Sequence, residues 1–186
     1  MKYALKEWNT TIEALGRGQV IAIWRKGNID DNLKQFVLFP TFTHQNENKI
    51  RNDFLYLFDQ DLGPNKDNQV KIKYWAEVEE TILIENFEQL LTVSNHLINS
   101  DEHLISSWGS HPSHTGKISL LRVYALSDPI LITNSPEYAG CKSWIELKID
   151  IPKIGSKSVL AFKDFREKTR LIKALLEQDE FEVVPA

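Results

Sequence analysis

Apolar residues near the amino terminus of this 186-residue chain recur at helical spacing. The positions are Leu5, Trp8, Ile12 and Leu15. Their intervals of three, four and three residues place them on one face of an α-helix. Two glycines, Gly16 and Gly18, follow and favour the end of that helix. The pattern therefore predicts an amphipathic helix at this end of the chain.

Apolar runs through the middle of the chain predict strands, at 20–24, 36–42, 70–84, 118–126, 129–133 and 144–151. In the third run apolar and charged residues alternate, which is typical of a half-buried strand. Pro40 interrupts the second run, and a proline removes a ladder hydrogen bond. We therefore expect that strand at a sheet edge or close to its own end. The segment 50–58 fits a helix or a strand equally well.

Further helices are predicted at 87–98 and 101–108, and a charged amphipathic helix at 157–178. Helices at both ends with about six strands between them indicate an α+β protein with a mainly antiparallel sheet or a small barrel. The length fits one domain over residues 1–186, with the C-terminal helix packed on it.

Composition fits a protein that folds without disulfide or metal staples. Apolar residues make up 42% of the chain, and a single cysteine excludes an internal disulfide framework. The first eight residues carry charges where a signal peptide needs an apolar core. No run approaches the ~18 apolar residues of a membrane span. We therefore expect a cytoplasmic protein with no membrane contact.

Charge is unevenly distributed along the chain. The net charge of −4 argues against strong non-specific binding to duplex DNA, whose affinity comes mostly from phosphate neutralisation. Residues 53–102 carry 3 basic and 11 acidic side chains, a net of −8, whereas 117–173 carry 11 basic and 6 acidic, a net of +5. The basic half is either a nucleic-acid face or ordinary solvated surface. The acidic segment is a candidate docking site for a basic protein partner.

Aromatic, basic and amide side chains cluster at several predicted strand ends. They are Trp24, Arg25, Lys26, His44, Gln45, Tyr138 and Trp144. An unpaired base needs aromatic faces to stack on, each worth ~1–3 kcal/mol, and an amide or imidazole to read its edge. The arrangement and element order are similar to those of small β-barrels of the pseudouridine-synthase-and-archaeosine-transglycosylase (PUA) type. The cluster predicts a PUA-like barrel that binds a nucleotide, and the alternative is that these aromatics are core.

An alternative chemistry is suggested by three charged residues. Asp128 precedes Glu146 by 17 intervening residues, and Lys148 alternates with Glu146 onto one face of a predicted strand. This is similar to the Asp…Glu-X-Lys core of restriction-type nucleases, in which two carboxylates bind Mg²⁺ and the lysine positions water. Asp128 also precedes a proline, so an exposed turn explains it as well. The same residues fit the polar face of an edge strand.

Histidine and cysteine offer two further candidates. His103, His111 and His114 lie within twelve residues, a spacing that suits Zn²⁺ or Ni²⁺ but also a solvated loop. Cys141 follows a glycine, and its neighbour Lys142 points to the opposite face if both lie on a strand. We therefore favour a buried packing role for Cys141 over a nucleophilic one.

Five segments in one order resemble the bacterial family catalogued as domain of unknown function 1802. They are residues 2–8, 25–27, 38–45, 121–126 and 138–147. The resemblance spans 2–147 and leaves the C-terminal helix outside. The chain departs from the family at Asn28, where a second glycine is usual, and at 108–112, where Arg and Trp are usual. Some relatives are similar to proteins fused to restriction-endonuclease domains, which implies a partner restriction or modification protein.

These observations predict a non-catalytic domain that recognises DNA or a modified nucleotide without a cofactor, and the family resemblance suggests DNA restriction, modification or defence as its setting. The alternatives are a nuclease that uses Mg²⁺ with Asp128, Glu146 and Lys148, and a protein-interaction module.

Overall fold

The computed structural model describes residues 1–26, 33–58, 63–110 and 115–178. The strands are β1 (Tyr3–Trp8), β2 (Ala22–Lys26), β3 (Gln35–Thr41), β4 (Gln69–Ile84), β5 (Gly116–Thr133), β6 (Trp144–Glu146) and β7 (Lys157–Ser158). The α-helices are α1 (Asn9–Gly16), α2 (Phe87–Thr92), α3 (Asp101–Gly109) and α4 (Phe162–Gln178). Short 3₁₀ turns lie at Glu47–Lys49, Asn52–Leu57, Ser94–His96 and Pro136–Tyr138.

The strands form one sheet in the order β2-β5-β4-β3-β1-β6, with β7 paired to β5. Among the described strands only β1 and β3 pair in parallel. The long β4–β5 pair has two register shifts, irregularities that bend a strand pair and increase its twist. The two ends of the sheet approach each other, since Arg25 of β2 donates a hydrogen bond to the Lys6 carbonyl of β1. The α+β prediction is confirmed, and the predicted barrel is a curled half barrel flanked by helices.

Both faces of this sheet are covered by apolar residues. Consecutive strand residues point to opposite faces, and Val37 and Leu38 of β3 are both buried. On one face Leu38 packs with α1, whose Ile12 is buried in the same cluster. On the other face Val37 packs with the chain that follows β5, which includes the buried Ile151. A third cluster joins α2, α3 and α4 to β5.

The predicted amino-terminal helix is wrong over its first half. Residues 3–8 form strand β1, which pairs with β3 and with β6, and helix α1 begins only at Asn9. The neighbours Ala4 and Leu5 are 0% and 2% exposed, a burial on both faces that a strand inside a sheet allows and a surface helix does not. Ile12 and Leu15 keep the helical positions that the spacing predicted.

Other predicted elements differ in extent. Strand β3 lies inside the sheet and not at its edge, although Pro40 is near its end as predicted. The runs 118–126 and 129–133 form one continuous strand, β5, because Pro129 lies where the register with β4 is already interrupted. The strand predicted at 144–151 ends at Glu146. The segment 50–58 contains the 3₁₀ turn Asn52–Leu57.

The charged C-terminal helix is present as α4, and it begins five residues later than predicted, at Phe162. Its apolar side enters the core through Phe165 and Ile172, each 1% exposed. None of the described helices has both the length and the apolar character that crossing a bilayer requires.

Candidate functional site

A cleft of about 830 Å³ lies where β1, β2 and β3 end. Its walls come from the last residues of these three strands, from helix α3 and from residues 134–143. The volume falls within the roughly 300–1,000 Å³ of small-molecule sites. The cleft therefore collects side chains that are far apart in the sequence.

Aromatic residues form much of the cleft wall. Phe39 and Tyr138 meet edge to face at 5.5 Å, and the Tyr138 hydroxyl accepts a hydrogen bond from the Lys148 backbone at 2.9 Å. Tyr138 is only 4% exposed, so it supports the wall and offers little free surface. Phe42, half-buried beside them, offers more. Any base in the cleft would therefore meet Phe42 more fully than Tyr138.

Trp24 lies at the base of the cleft against the start of β5. A Cβ atom at Gly116 would lie 2.8 Å from the Trp24 indole nitrogen and 2.9 Å from the Arg25 carbonyl. The absence of a side chain at Gly116 is therefore what lets β5 pass this close to the indole.

Arg25 joins the two ends of the sheet. Its Nη2 donates to the Lys6 carbonyl at 2.5 Å and to Glu7 Oε2 at 2.7 Å, and its Nη1 donates to Ser143 Oγ at 3.1 Å. The Arg25 and Glu7 side chains are 17% and 15% exposed, so this ion pair is largely withdrawn from water. Arg25 therefore joins β2 to β1 and to Ser143, which are three parts of the cleft wall.

Lys6 binds the segment between the 3₁₀ turn Pro136–Tyr138 and strand β6. Its ammonium donates to the carbonyls of Tyr138 and Gly140, each at 2.7 Å. Burial lowers the pKa of Lys6, Lys142 lowers it further, and Cys141 opposes the shift. Gly140 has a φ of +82°, a left-handed conformation that glycine adopts without strain. This bend and the lysine together shape one side of the cleft.

An imidazole and an ammonium group lie around Trp8 at the cleft rim. The His103 ring packs on Trp8 with centroids 5.3 Å apart, and Lys49 Nζ lies 5.8 Å from the Trp8 centroid. Burial is the main cause that lowers the pKa of His103, and Lys49 and Lys26 lower it further against the opposing effect of Glu7. Burial and the two lysines therefore disfavour the imidazolium form of His103.

The structure brings five of the seven predicted binding residues into the cleft. They are Trp24, Arg25, Lys26, His44 and Tyr138. Gln45 lies outside its lining, and its Oε1 accepts a hydrogen bond from the Thr10 backbone at 3.1 Å. Trp144 packs edge to face on the buried Phe36, with centroids 4.9 Å apart. Gln45 thus binds the backbone of α1 and Trp144 packs on Phe36, whereas the other five residues line the cleft.

The cleft lining also includes Lys6, Glu7, Trp8 and His103, which are not among the predicted binding residues. The first three lie in the stretch for which the sequence predicts a helix. A helix would not pair with β3, so the prediction does not place them beside that strand. The sequence feature that could indicate a site here is the charged pair Lys6 and Glu7 directly before an aromatic residue. For His103 the sequence suggests only a metal-ligand role.

The nuclease residues are not brought together. Asp128 lies in β5, and three strands, β4, β3 and β1, stand between it and β6, which holds Glu146. Lys148 lies beyond the end of β6 and pairs with Glu137 at 2.9 Å. In the part of the chain that the structure describes, no three His, Cys, Asp or Glu residues are placed to hold a metal ion.

The predicted histidine site and the predicted packing role of Cys141 are the remaining candidates. His111 and His114 of the proposed histidine site lie outside the described residues, and His103 belongs to the cleft. Cys141 is a free, exposed thiol, so the packing role expected for it is wrong. The thiol follows the bend at Gly140 and is an exposed part of the cleft lining.

Acidification is expected to destabilise the fold through two histidines. Burial lowers the pKa of both His96 and His103 in the folded chain, each with help from nearby cations. Below the ordinary histidine value of about 6.5 the unfolded chain binds more protons, so the free energy of unfolding falls as the pH drops until the folded histidines titrate. Urea titrations across this range should show the decline. A variant with His96→Gln and His103→Gln should show less of it, and an equal decline in that variant would contradict the assignment.

The chain is similar to one protein family and to solved structures of one protein. The family model described as Domain of unknown function (DUF1802) matches residues 4–170, so the match extends past the 2–147 seen from motifs and into α4. The crystal structure of ASCH from Zymomonas mobilis has a TM-score of 0.50 with 11% identity, covering 91% of this chain and 94% of that chain. A mutant of the same protein gives 0.49 with 12% identity, covering 91% and 96%. A search of curated proteins finds no match. At such identity the ASCH likeness shows the fold alone.

Proposed function

The chain belongs to the DUF1802 family, and from the cleft of this family member we propose a non-catalytic domain that recognises nucleic acid by receiving an unpaired nucleotide. The ligand is a base exposed in a single strand or flipped from a DNA duplex. We further propose that the domain works in the cytoplasm beside a restriction or modification protein. That part rests on the family resemblance.

The single observation that carries the proposal is one cleft with an aromatic wall and a basic rim. Phe42 offers aromatic surface that the buried Phe39 and Tyr138 support from behind, and Lys26 supplies charge at the mouth. Bases stack on aromatic faces whatever their sequence, and cations follow the phosphate backbone. A nucleotide needs both features within its own length.

The second groove of the structure lacks this combination. It has about 720 Å³ and runs beside α4, lined by charged residues such as Lys163 and Arg170 and by no aromatic residue. Two of its cations already form ion pairs, Arg166 with Glu79 and Lys173 with Glu80, each at 2.9 Å. The strand-end cleft is therefore the better nucleotide site.

An unpaired nucleotide fits the charge of the chain better than intact duplex does. The net charge of −4 disfavours the phosphate neutralisation that drives duplex binding. A concave site that takes one or two nucleotides needs few phosphate contacts and gains affinity from stacking. We therefore expect weak salt dependence and a preference for single strands.

Tryptophan fluorescence tests this proposal because Trp8 and Trp24 line the cleft. Titration with single-stranded RNA, single-stranded DNA and duplex DNA, each with and without modified bases, should change the emission for at least one single strand. Trp24→Phe should remove much of the change, whereas Trp108→Phe, which alters a tryptophan packed on Phe87 outside the cleft lining, should keep it. No change with any oligonucleotide would overturn the proposal.

A further inference from the structure

Trp8 at the cleft rim contacts two nitrogen-bearing side chains, those of His103 and Lys49. The His103 ring packs on it at 5.3 Å in a tilted arrangement, and Lys49 Nζ lies 5.8 Å from its ring centroid. Lys49 is held there by a hydrogen bond from its Nζ to the His44 carbonyl at 3.3 Å. The rim thus presents two nitrogen-bearing side chains around one indole.

Lys26 completes this group from the other side. Its Nζ donates to Ser110 Oγ at 3.1 Å, and Ser110 in turn donates to the Ser107 carbonyl of α3 at 2.9 Å. Lys26 is therefore tethered beside the helix that carries His103. Lys26, His103 and Ser107 all line the cleft.

The acidic residues near this group, in the part of the chain that the structure describes, lie on several elements. Glu7 is the acidic residue that acts on His103, and its carboxylate is already bound to Arg25 at 2.7 Å. The elements packed on α3 add Glu47 from the 3₁₀ turn and Glu88 from α2, and α3 itself carries Asp101 and Glu102. All four of these side chains are exposed. Among the described residues, Lys26 and Lys49 are therefore the cations that act on His103.

We propose that Lys26, Lys49 and His103 form a phosphate subsite of the cleft, in which His103 takes up one proton from solvent when a phosphate group binds. The inference rests on the proposed function, since it names where the backbone of the bound strand lies. No covalent bond changes. The proton moves from water or buffer onto the free ring nitrogen, and the imidazolium then faces the phosphate anion.

The physical reason is a reversal of the field at His103. In the free protein burial and two lysines disfavour the imidazolium and hold the pKa of His103 down. A phosphate between the three side chains offsets the lysines and adds an opposite charge, which favours the protonated ring. Proton binding and phosphate binding then strengthen each other by linkage.

This linkage predicts opposite pH effects on affinity and on stability. As the pH falls from about 8 toward the free-state pKa of His103, affinity for a phosphate-bearing strand rises, by at most about tenfold per pH unit for one proton. Over the acidic part of the same range the free protein loses stability. A ligand without phosphate charge shows no such rise.

Isothermal titration calorimetry of the full chain tests the proposal. The probes are a single-stranded trinucleotide with phosphodiester linkages and the same trinucleotide with uncharged methylphosphonate linkages. Titration near pH 7 in two buffers of different ionisation enthalpy measures the protons taken up. We expect up to one proton for the phosphodiester and none for the methylphosphonate, which should also bind more weakly.

Variants assign the proton and the phosphate contacts. His103→Gln should abolish the proton uptake and keep part of the affinity. Lys26→Gln with Lys49→Gln should weaken binding and lower the slope of log affinity against log salt by about one. Lys163→Gln on α4 is the matched control and should change neither quantity, because Lys163 lies in the other groove.

The outcomes separate this inference from the proposed function. Binding of both trinucleotides with equal affinity and no proton uptake would overturn the phosphate subsite and leave nucleotide recognition standing. Uptake that persists in His103→Gln would overturn the assignment to His103. Failure of every oligonucleotide to bind would overturn the proposed function itself.

Discussion

Replacing Arg25 with methionine is expected to lower the free energy of unfolding by about 3 kcal/mol. The guanidinium makes three hydrogen bonds that join β2 to β1 and to Ser143. Removing one partner of a buried ion pair costs roughly 3–5 kcal/mol because the other charge stays behind without compensation. Glu7 would be left in that state at 15% exposure, so the lower end of the range applies. Urea denaturation followed by circular dichroism measures the loss.

Two further variants test the cause of that loss. The pair Glu7→Gln with Arg25→Met should recover part of the stability, because no charge is then left unpaired. Lys148→Met breaks the exposed pair with Glu137 and should cost less than about 1 kcal/mol. A loss for Arg25→Met no larger than that of Lys148→Met would contradict the role of Arg25 in joining the ends of the sheet.

Replacing Phe42 with alanine is expected to weaken nucleic-acid binding roughly 5- to 150-fold, with a smaller effect on folding. The range corresponds to ~1–3 kcal/mol for one base stacked on an aromatic side chain. Phe42 is half-buried in the cleft lining, whereas Phe39 beside it is 2% exposed and belongs to the core. Phe42 is therefore the aromatic residue that a ligand reaches. Fluorescence anisotropy of a labelled single-stranded oligonucleotide measures the affinity.

Phe162→Ala is the matched control for this substitution. Phe162 is 61% exposed at the start of α4, outside the cleft lining, and it faces Arg122 at 5.3 Å. Removing it should leave the affinity unchanged. Equal affinity of Phe42→Ala and the unaltered protein, with both shown to be folded by thermal denaturation, would exclude stacking on Phe42.

Much of the fold could be predicted from local patterns. The alternation through β4 and the two apolar runs within β5 predict strands there, because each strand shows its own burial along the sequence, although the pairing and the continuity of β5 are not predicted. The first strand could not be identified in this way. Leu5 and Trp8 happen to lie at helical spacing with Ile12, and only pairing with β3, which comes later in the chain, makes residues 3–8 a strand.

The candidate site was predictable only in part, for a related reason. Trp24 and Lys26 end a strand, and polar or aromatic residues at strand ends are a local signal. Arg25 carries the same signal, yet its guanidinium is bound to Ser143, 118 positions away, and to Lys6 and Glu7. His103 reaches the cleft only because α3 packs beside the 3₁₀ turn that holds Lys49. Such convergence depends on tertiary packing that spacing does not encode.

Photo-crosslinking tests the central claim, that the strand-end cleft receives an unpaired nucleotide, most directly. A single-stranded oligonucleotide with one photoreactive thio-substituted base is irradiated with the full-length protein, and the linked peptides are identified by mass spectrometry. We expect crosslinks at cleft residues, chiefly Trp8, Trp24 and Phe42, and their loss when unlabelled oligonucleotide competes. Crosslinks confined to the groove beside α4, around Lys163 and Arg170, would contradict the account.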